Sequence, residues 1–218
     1  MLSDRPDGTL RLVIVRHGIT DWNTQGRMQG HSDVPLSDMG RLQAEAVADR
    51  LAQERIDAVY TSDLMRAADT GRAIAARHGL EIRQLSSLRE TMLGDWEGLT
   101  DADIMARGEG EALAMYRCDP SMYRPPGSEA IEKVALRLRA AREAVARQHP
   151  GGLVVLVGHG GSIRAIFCDA IRAPIRCMFA FRVSNASISV ADFGPTRSAI
   201  VKLNCTHHLD QFRNEVEA

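Results

Sequence analysis

Lysine is almost missing from this chain of 218 residues: Lys133 and Lys202 are the only two, and the other 25 of its 27 basic side chains are arginines. An excess of charge of either sign is missing too, because 28 acids bring the formal net charge to −1. Without a net basic field, a general binder of nucleic acid or of membrane surfaces is excluded, although a local basic pocket is not. No apolar stretch approaches the roughly 18 residues that a membrane helix requires. The opening segment, Met1 to Thr9, is polar and carries no secretory pattern. The four cysteines, at 118, 168, 177 and 205, form no Cys-x-x-Cys pair and no disulfide framework, so a reduced, cytoplasmic protein is expected. Hydrophobic residues at 44% and charged residues at 25% are ordinary for a globular chain. At this length most of the surface can be buried, and a single domain over 1–218 is expected.

The arginine excess has two readings. A genome rich in G and C favours arginine codons, which would leave most of the 25 without individual meaning. Alternatively, a few arginines are placed to grip an oxyanion, for which the rigid guanidinium fork suits phosphate and carboxylate. Composition does not choose between them; position can.

Leu12 to Val15 is a short, apolar, β-branched run that predicts a buried strand, and it leads directly into Arg16-His17-Gly18. Ser37 caps a predicted helix reaching about Ala52, in which Leu42, Ala46, Val47 and Leu51 form one apolar stripe. Ile56 to Thr61 predicts a second strand, Leu64 to His78 a helix stopped by Gly79, and Ile82 to Leu85 a third strand. Residues 91–127 are rich in glycine and proline and predict a loop-rich insert with short helices. A long amphipathic helix over Glu129 to Gln148 precedes the strand Leu153 to Val157, then Gly158-His159-Gly160-Gly161 and a helix over Ser162 to Ile171. Two further strands are expected near Ser187–Asp192 and Ala199–Leu203. This alternation predicts an α/β fold. It is a three-layer domain with a mostly parallel central sheet, helices on both faces and the insert over the active site.

Ligands of open α/β sheets collect at the carboxyl ends of the strands. Two predicted strands end there in a histidine flanked by glycine, at His17 and His159. Glycines such as Gly160 let a ligand approach the backbone closely, and the helix opening beside it turns its amides toward the same edge. Arg66 follows the second strand and Glu90 the third. Arg16, His17, Arg66, Glu90 and His159 therefore form a set of two guanidinium groups, two imidazoles and one acid. Those parts suit phosphoryl transfer: arginines on the equatorial oxygens, one histidine attacking phosphorus, the carboxyl group protonating the leaving oxygen.

Four ordered blocks now carry a specific resemblance. They are Arg16-His17-Gly18 with Thr20, Trp22-Asn23, Gly26-Arg27 and Gln29-Gly30; Ser62-Asp63-Leu64-x-Arg66-Ala67; Leu88-Arg89-Glu90 with Gly94-x-Trp96-Glu97-Gly98-Leu99; and Val157-Gly158-His159-Gly160-Gly161-Ser162-Ile163-Arg164. Together they resemble the histidine phosphatase (phosphoglycerate mutase-like) superfamily. The resemblance implies that His17 is the nucleophile and forms a phosphohistidine. His159 would steady the transferring group, Arg16 and Arg66 would clamp its oxygens, and Glu90 would be proton donor and then base. Asn23 would be a further phosphate donor, with Gln29 and Gly30 lining the site. No metal and no cofactor is implied, and the sequence has no cluster with zinc-ligand spacing. Ile19, Asp69 and the run Pro126-Gly127-Ser128-Glu129-Ala130 depart from the usual pattern without removing a group that the phosphoryl step requires.

Leu93 to Leu99 and the short span between Glu90 and His159 resemble the phosphatase branch more than the mutases, which implies hydrolysis of a small phosphorylated metabolite. Phosphoserine, α-ribazole phosphate and phosphoglycerate-type esters are the expected classes. Asn185-Ala186-Ser187-Ile188 resembles a strand entry of the same branch. The tail Leu203-Asn204-Cys205-Thr206-His207-His208-Leu209 is similar to metal-independent phosphoserine phosphatases, which would put His208 near substrate; a surface tail is the alternative. A bisphosphoglycerate-dependent mutase and a silent phospho-ligand or partner-binding protein are the competing functions, and a homodimer is a family-level expectation. A serine esterase and a P-loop protein are excluded, because neither a Gly-x-Ser-x-Gly elbow nor a Gly-Lys-[Ser/Thr] loop occurs.

Overall fold

The computed structural model describes residue 2 and residues 8–215. Strand β1 (Leu10–Arg16) leads through a short helix α1 (Asp21–Thr24) to α2 (Asp38–Leu51). Next come β2 (Ala58–Thr61), α3 (Met65–Ala76) and β3 (Ile82–Gln84). The insert carries α4 (Asp101–Ala106) and α5 (Gly110–Cys118), and the long α6 (Ile131–Gln148) follows it. The chain ends in β4 (Leu153–Gly158), α7 (Gly160–Ile171), β5 (Ile188–Phe193), β6 (Ser198–Cys205) and a 3-10 segment, His207–Glu215.

One six-stranded sheet has the order β3-β2-β4-β1-β5-β6. β1 is central, and its side chains alternate between two cores because successive residues of a strand face opposite ways. Leu12 and Ile14 pack with Val134, Leu138, Ile163 and Phe167 from α6 and α7. Val13 and Val15 pack with Val47, Leu51 and Ile74 from α2 and α3. Burying each such side chain contributes roughly 1.5–3 kcal/mol, and two covered faces explain why these runs are apolar without alternation.

The first four strands are mutually parallel, as the strand–helix alternation predicts, but β5 runs antiparallel to β1 and β6 antiparallel to β5, so β6 again points the way of the first four. After α7 the chain returns past a 3-10 turn, Ile175–Ala180, to Ser187, whose carbonyl accepts the Arg16 amide at 3.2 Å. β5 thus starts where β1 ends. Only residues 194–197 separate β5 from β6, too few for a crossover, so the pair closes as a hairpin.

The insert has its own small core around Trp96, which is fully buried and stacks on Tyr123 at 5.4 Å with Tyr116 edge-on at 5.6 Å. Segments of this kind leave carbonyls without ladder partners. Arginines supply the missing donors: Arg27 to the Gly98 carbonyl at 2.6 Å, Arg164 to that of Phe181 at 2.9 Å, and Arg137 to those of Ser87, Arg89 and Glu90. Placement explains these arginines without appeal to codon usage. All four cysteines are free, and none of the described helices is long and apolar enough to cross a membrane.

Candidate active site

Parallel pairing of β1 with β4 puts Arg16 opposite Gly158, so the two strand-end histidines emerge side by side. The ring centroids of His17 and His159 are 5.2 Å apart and the planes are tilted by 58°. Both residues are buried. His17 Nδ1 lies 2.7 Å from the Gly18 carbonyl. A carbonyl only accepts, so Nδ1 carries the hydrogen and Nε2 keeps the lone pair. Burial, followed by the charges of Arg66 and Arg16, holds the His17 imidazole well below its ordinary range. His159 is held down in the same way, by burial first and then by Arg66, His17 and Arg16. Two neutral imidazoles therefore face each other, one with a defined nucleophilic nitrogen.

Around them stand two guanidinium groups with no carboxylate in hydrogen-bonding contact. Arg66 is fully buried, and its Nη1 and Nη2 donate to the carbonyls of Ser32 at 2.8 Å and Gly30 at 2.9 Å. Arg16 Nη1 donates to the Val183 carbonyl at 2.8 Å. The Nε atoms of both arginines and both ring nitrogens of His159 are buried without a partner. Burial pulls the Arg16 guanidinium down to about 10, with Glu90 opposing the shift and Arg164 and Arg66 adding to it. Orphaned buried donors and unpaired buried cations are costly, and an oxyanion answers both at once.

Glu90 reaches this cluster from the loop after β3. Its Oε1 accepts from the amides of Thr91 at 2.9 Å and Ser162 at 3.0 Å, and Oε2 accepts from Gly161 at 2.9 Å. The acid thus sits on the positive end of the α7 dipole. Gly160 lies against the Arg16 guanidinium: a Cβ there would be 3.7 Å from Arg16 Cζ and 3.4 Å from Arg164 Nη1. Gly30 has φ +51°, and its carbonyl holds Arg66 in place. Asn23 Oδ1 accepts from Thr20 N, Thr20 Oγ1 and Asn185 Nδ2, which leaves its own amide hydrogens for another partner. Gln29 is buried with Oε1 unpartnered. His208 touches the site only through backbone. Its Nε2 donates to the Ala186 carbonyl at 2.9 Å, and the Ala186 amide donates to the His17 carbonyl at 3.1 Å. Ala186 takes the left-handed conformation (φ 53°), a strained state for a residue with a Cβ, between these two bonds.

Three further residues hold the site without a role assigned from the sequence, although Glu97 stands within the third block. His31 Nε2 donates to the Glu90 carbonyl at 2.9 Å. The Glu97 carboxylate collects four donors, from His31 N, Ser32 N, Ser32 Oγ and Leu93 N, and so ties the Gly30 loop to the insert. Arg137 grips the loop that bears Glu90. A signal for it exists in retrospect: Arg137 interrupts the buried face formed by Val134, Leu138, Ala141 and Val145 on α6. Among the described residues, no group of three or more His, Cys, Asp or Glu side chains is arranged to hold a metal ion.

A sheet of this order with two strand-end histidines between two arginines defines a class. Residues 12–206 match the profile of the histidine phosphatase superfamily (branch 1), and the chain belongs to it. It is 43% identical over 173 residues, 76% of this chain and 77% of the relative, to glucosyl-3-phosphoglycerate phosphatase of Mycobacterium tuberculosis (strain ATCC 25618 / H37Rv). It is 36% identical over 200 residues to the metal-independent phosphoserine phosphatase of Arabidopsis thaliana, covering 91% of this chain and 82% of that one. Among solved structures, Bacillus stearothermophilus YhfR superposes with a TM-score of 0.86 at 27% identity, covering 92% of this chain and 100% of that one.

Proposed function

We propose that this protein is a metal-independent phosphomonoester hydrolase that works through a phosphohistidine on His17. The observation that carries the reading is the pair of neutral imidazoles between Arg16 and Arg66, whose buried Nε atoms have no partner. Nε2 of His17 attacks phosphorus in line, forming an N–P bond as the ester P–O bond breaks. Arg16, Arg66 and His159 hold the equatorial oxygens, where charge accumulates. Asn23, Gln29 and the backbone at Gly30 and Gly160 complete the phosphate cradle, with His208 backing it through Ala186. Glu90 gives its proton to the departing alkoxide, then takes one from the water that cleaves the N–P bond. Small phosphorylated metabolites of the phosphoserine, phosphoglycerate or α-ribazole phosphate type are the substrate class. The phosphatase names of the relatives favour hydrolysis over mutase chemistry. A reduced, cytoplasmic setting and a homodimer belong to the same proposal; the four free cysteines support the former. Light scattering that finds only a 23.9-kDa monomer at working concentration removes the dimer.

The test is phosphate release in EDTA from phosphoserine, 3-phosphoglycerate and p-nitrophenyl phosphate. Loss of about 10³-fold or more in His17→Ala is expected, because removing the nucleophile removes the covalent route. Undiminished release in that variant overturns the mechanism. Interconversion of 3- and 2-phosphoglycerate stimulated by bisphosphoglycerate, with no net phosphate release, selects the mutase instead.

A further inference from the structure

Glu90 lies in a stretch without regular structure, between the 3-10 turn Ser86–Leu88 and the insert, yet an acid that hands over a proton must be held to a fraction of an ångström. Arg137, on the rigid helix α6, supplies that hold. Its Nη1 donates to the carbonyls of Ser87 and Arg89, both at 2.8 Å. Nη2 donates to the Glu90 carbonyl and to Glu129 Oε2, both at 2.9 Å, and Nε donates to Glu129 Oε1 at 2.9 Å. All five guanidinium hydrogens are therefore used. Glu129 fixes the fork from behind, and its own amide donates to the Met92 carbonyl at 2.9 Å, beyond Glu90 on the same loop. His31 Nε2 takes the remaining lone pair of the Glu90 carbonyl. The loop is thus clamped at 87, 89, 90 and 92, while the Glu90 carboxylate rests on the α7 amides.

We propose that Arg137, oriented by Glu129, is a positioning residue that sets Glu90 for protonating the leaving group. This inference rests on the phosphatase reading above. A lysine cannot replace the fork, because a single ammonium point does not span three carbonyls and a carboxylate. The pair governs the step in which the proton moves and leaves the arginine and histidine grip on the phosphoryl group intact. Esters with poor leaving groups depend on it, and esters with good ones do not.

The experiment compares Arg137→Met, Arg137→Lys and Glu129→Gln with wild type and Glu90→Gln, using phosphoserine as the poor leaving group and p-nitrophenyl phosphate as the good one. In Arg137→Met, kcat for phosphoserine is expected to fall about 10- to 100-fold, up to the lower end of what general acid catalysis supplies because Glu90 is misplaced and not removed, and that for p-nitrophenyl phosphate about 3-fold or less. Arg137→Lys should resemble Arg137→Met more than wild type, and Glu129→Gln should show a smaller loss with the same bias. Adding Arg137→Met to Glu90→Gln should cost little more than Glu90→Gln alone, because the two act as one unit. Equal loss on both esters, full rescue by lysine or additive losses each overturn the proposal. A crystal structure of Arg137→Lys gives a readout free of turnover, and serves if the methionine variant does not fold. Glu90 Oε2 remaining within about 3.2 Å of the Gly161 amide there overturns the proposal as well. Wild-type inactivity on every ester, by contrast, sinks the phosphatase reading and leaves that structural readout standing.

Discussion

His17 and His159 stand ring to ring at 5.2 Å, each held neutral by burial first and then by the charges of Arg66 and Arg16. Both native imidazoles lie well below the ordinary value near 6.5, mainly through burial. Below about pH 6.5 the unfolded chain therefore binds protons that the native chain refuses, and stability falls as pH falls. The slope is at most about 1.4 kcal/mol per pH unit for each of the two histidines, and it vanishes above the unfolded value. His78, His149 and His208 shift the same way and add to the total. Urea unfolding at pH 7, 6 and 5 checks this, with His159→Asn expected to flatten the profile. An unchanged profile would mean that His159 is already charged in the native protein.

Gly161→Ala tests Glu90 without touching it. A Cβ at this position would stand 2.4 Å from Glu90 Oε1, closer than two such atoms ever approach. Because Glu90 is a side chain and alanine favours helix, the fold should absorb the change at less than about 1 kcal/mol. The displaced carboxyl group should then slow phosphoserine hydrolysis about 10- to 100-fold and p-nitrophenyl phosphate hydrolysis much less. Equal rates for wild type and variant on both esters would separate Glu90 from proton transfer.

Gly30→Ala strikes the phosphate grip instead. The backbone there is left-handed (φ +51°), and a Cβ would fall 2.0 Å from Glu97 Oε1. Glu97 holds the amides of His31, Ser32 and Leu93, and the Gly30 and Ser32 carbonyls hold Arg66. A loss of about 2 kcal/mol or more in unfolding free energy is expected from the strain and the broken hydrogen bonds. Inhibition by inorganic phosphate should weaken about 10-fold, as expected for about 1.4 kcal/mol of lost binding. Full-strength inhibition in a folded variant would show that Arg66 does not depend on this loop.

Periodicity and strand ends are legible in the sequence. Arg16, His17 and His159 are readable because a buried strand must finish at the ligand edge, and Glu90 because it comes after the third strand. The antiparallel direction of β5 is not readable, since it depends on the path through Ile175–Ala180, which carries no periodic signal. The roles of His31, Glu97 and Arg137 are hidden for another reason. Each acts on backbone groups of a distant loop, such as the Glu90 carbonyl held by Arg137 across 47 positions of the chain, and a residue that binds main chain needs no matching side chain to reveal it. Arg27 and Arg164 belong to the same category, because a donor to a carbonyl looks like surface charge until the loop is seen.

Those carbonyl-binding arginines set the chemical handling of the molecule. Lys133 and Lys202 are both exposed, so amine-directed tags or surface immobilisation engage groups on which neither the site nor the loops depend. Arginine-directed dicarbonyl reagents attack the opposite set. Wherever they reach the partly exposed Arg27, Arg137 or Arg164, they cut a tie to a loop carbonyl: Gly98 in the insert, Glu90 just before it, or Phe181 after the 3-10 turn Ile175–Ala180. Inactivation by such a reagent would thus report the release of a loop as readily as the blocking of a phosphate pocket.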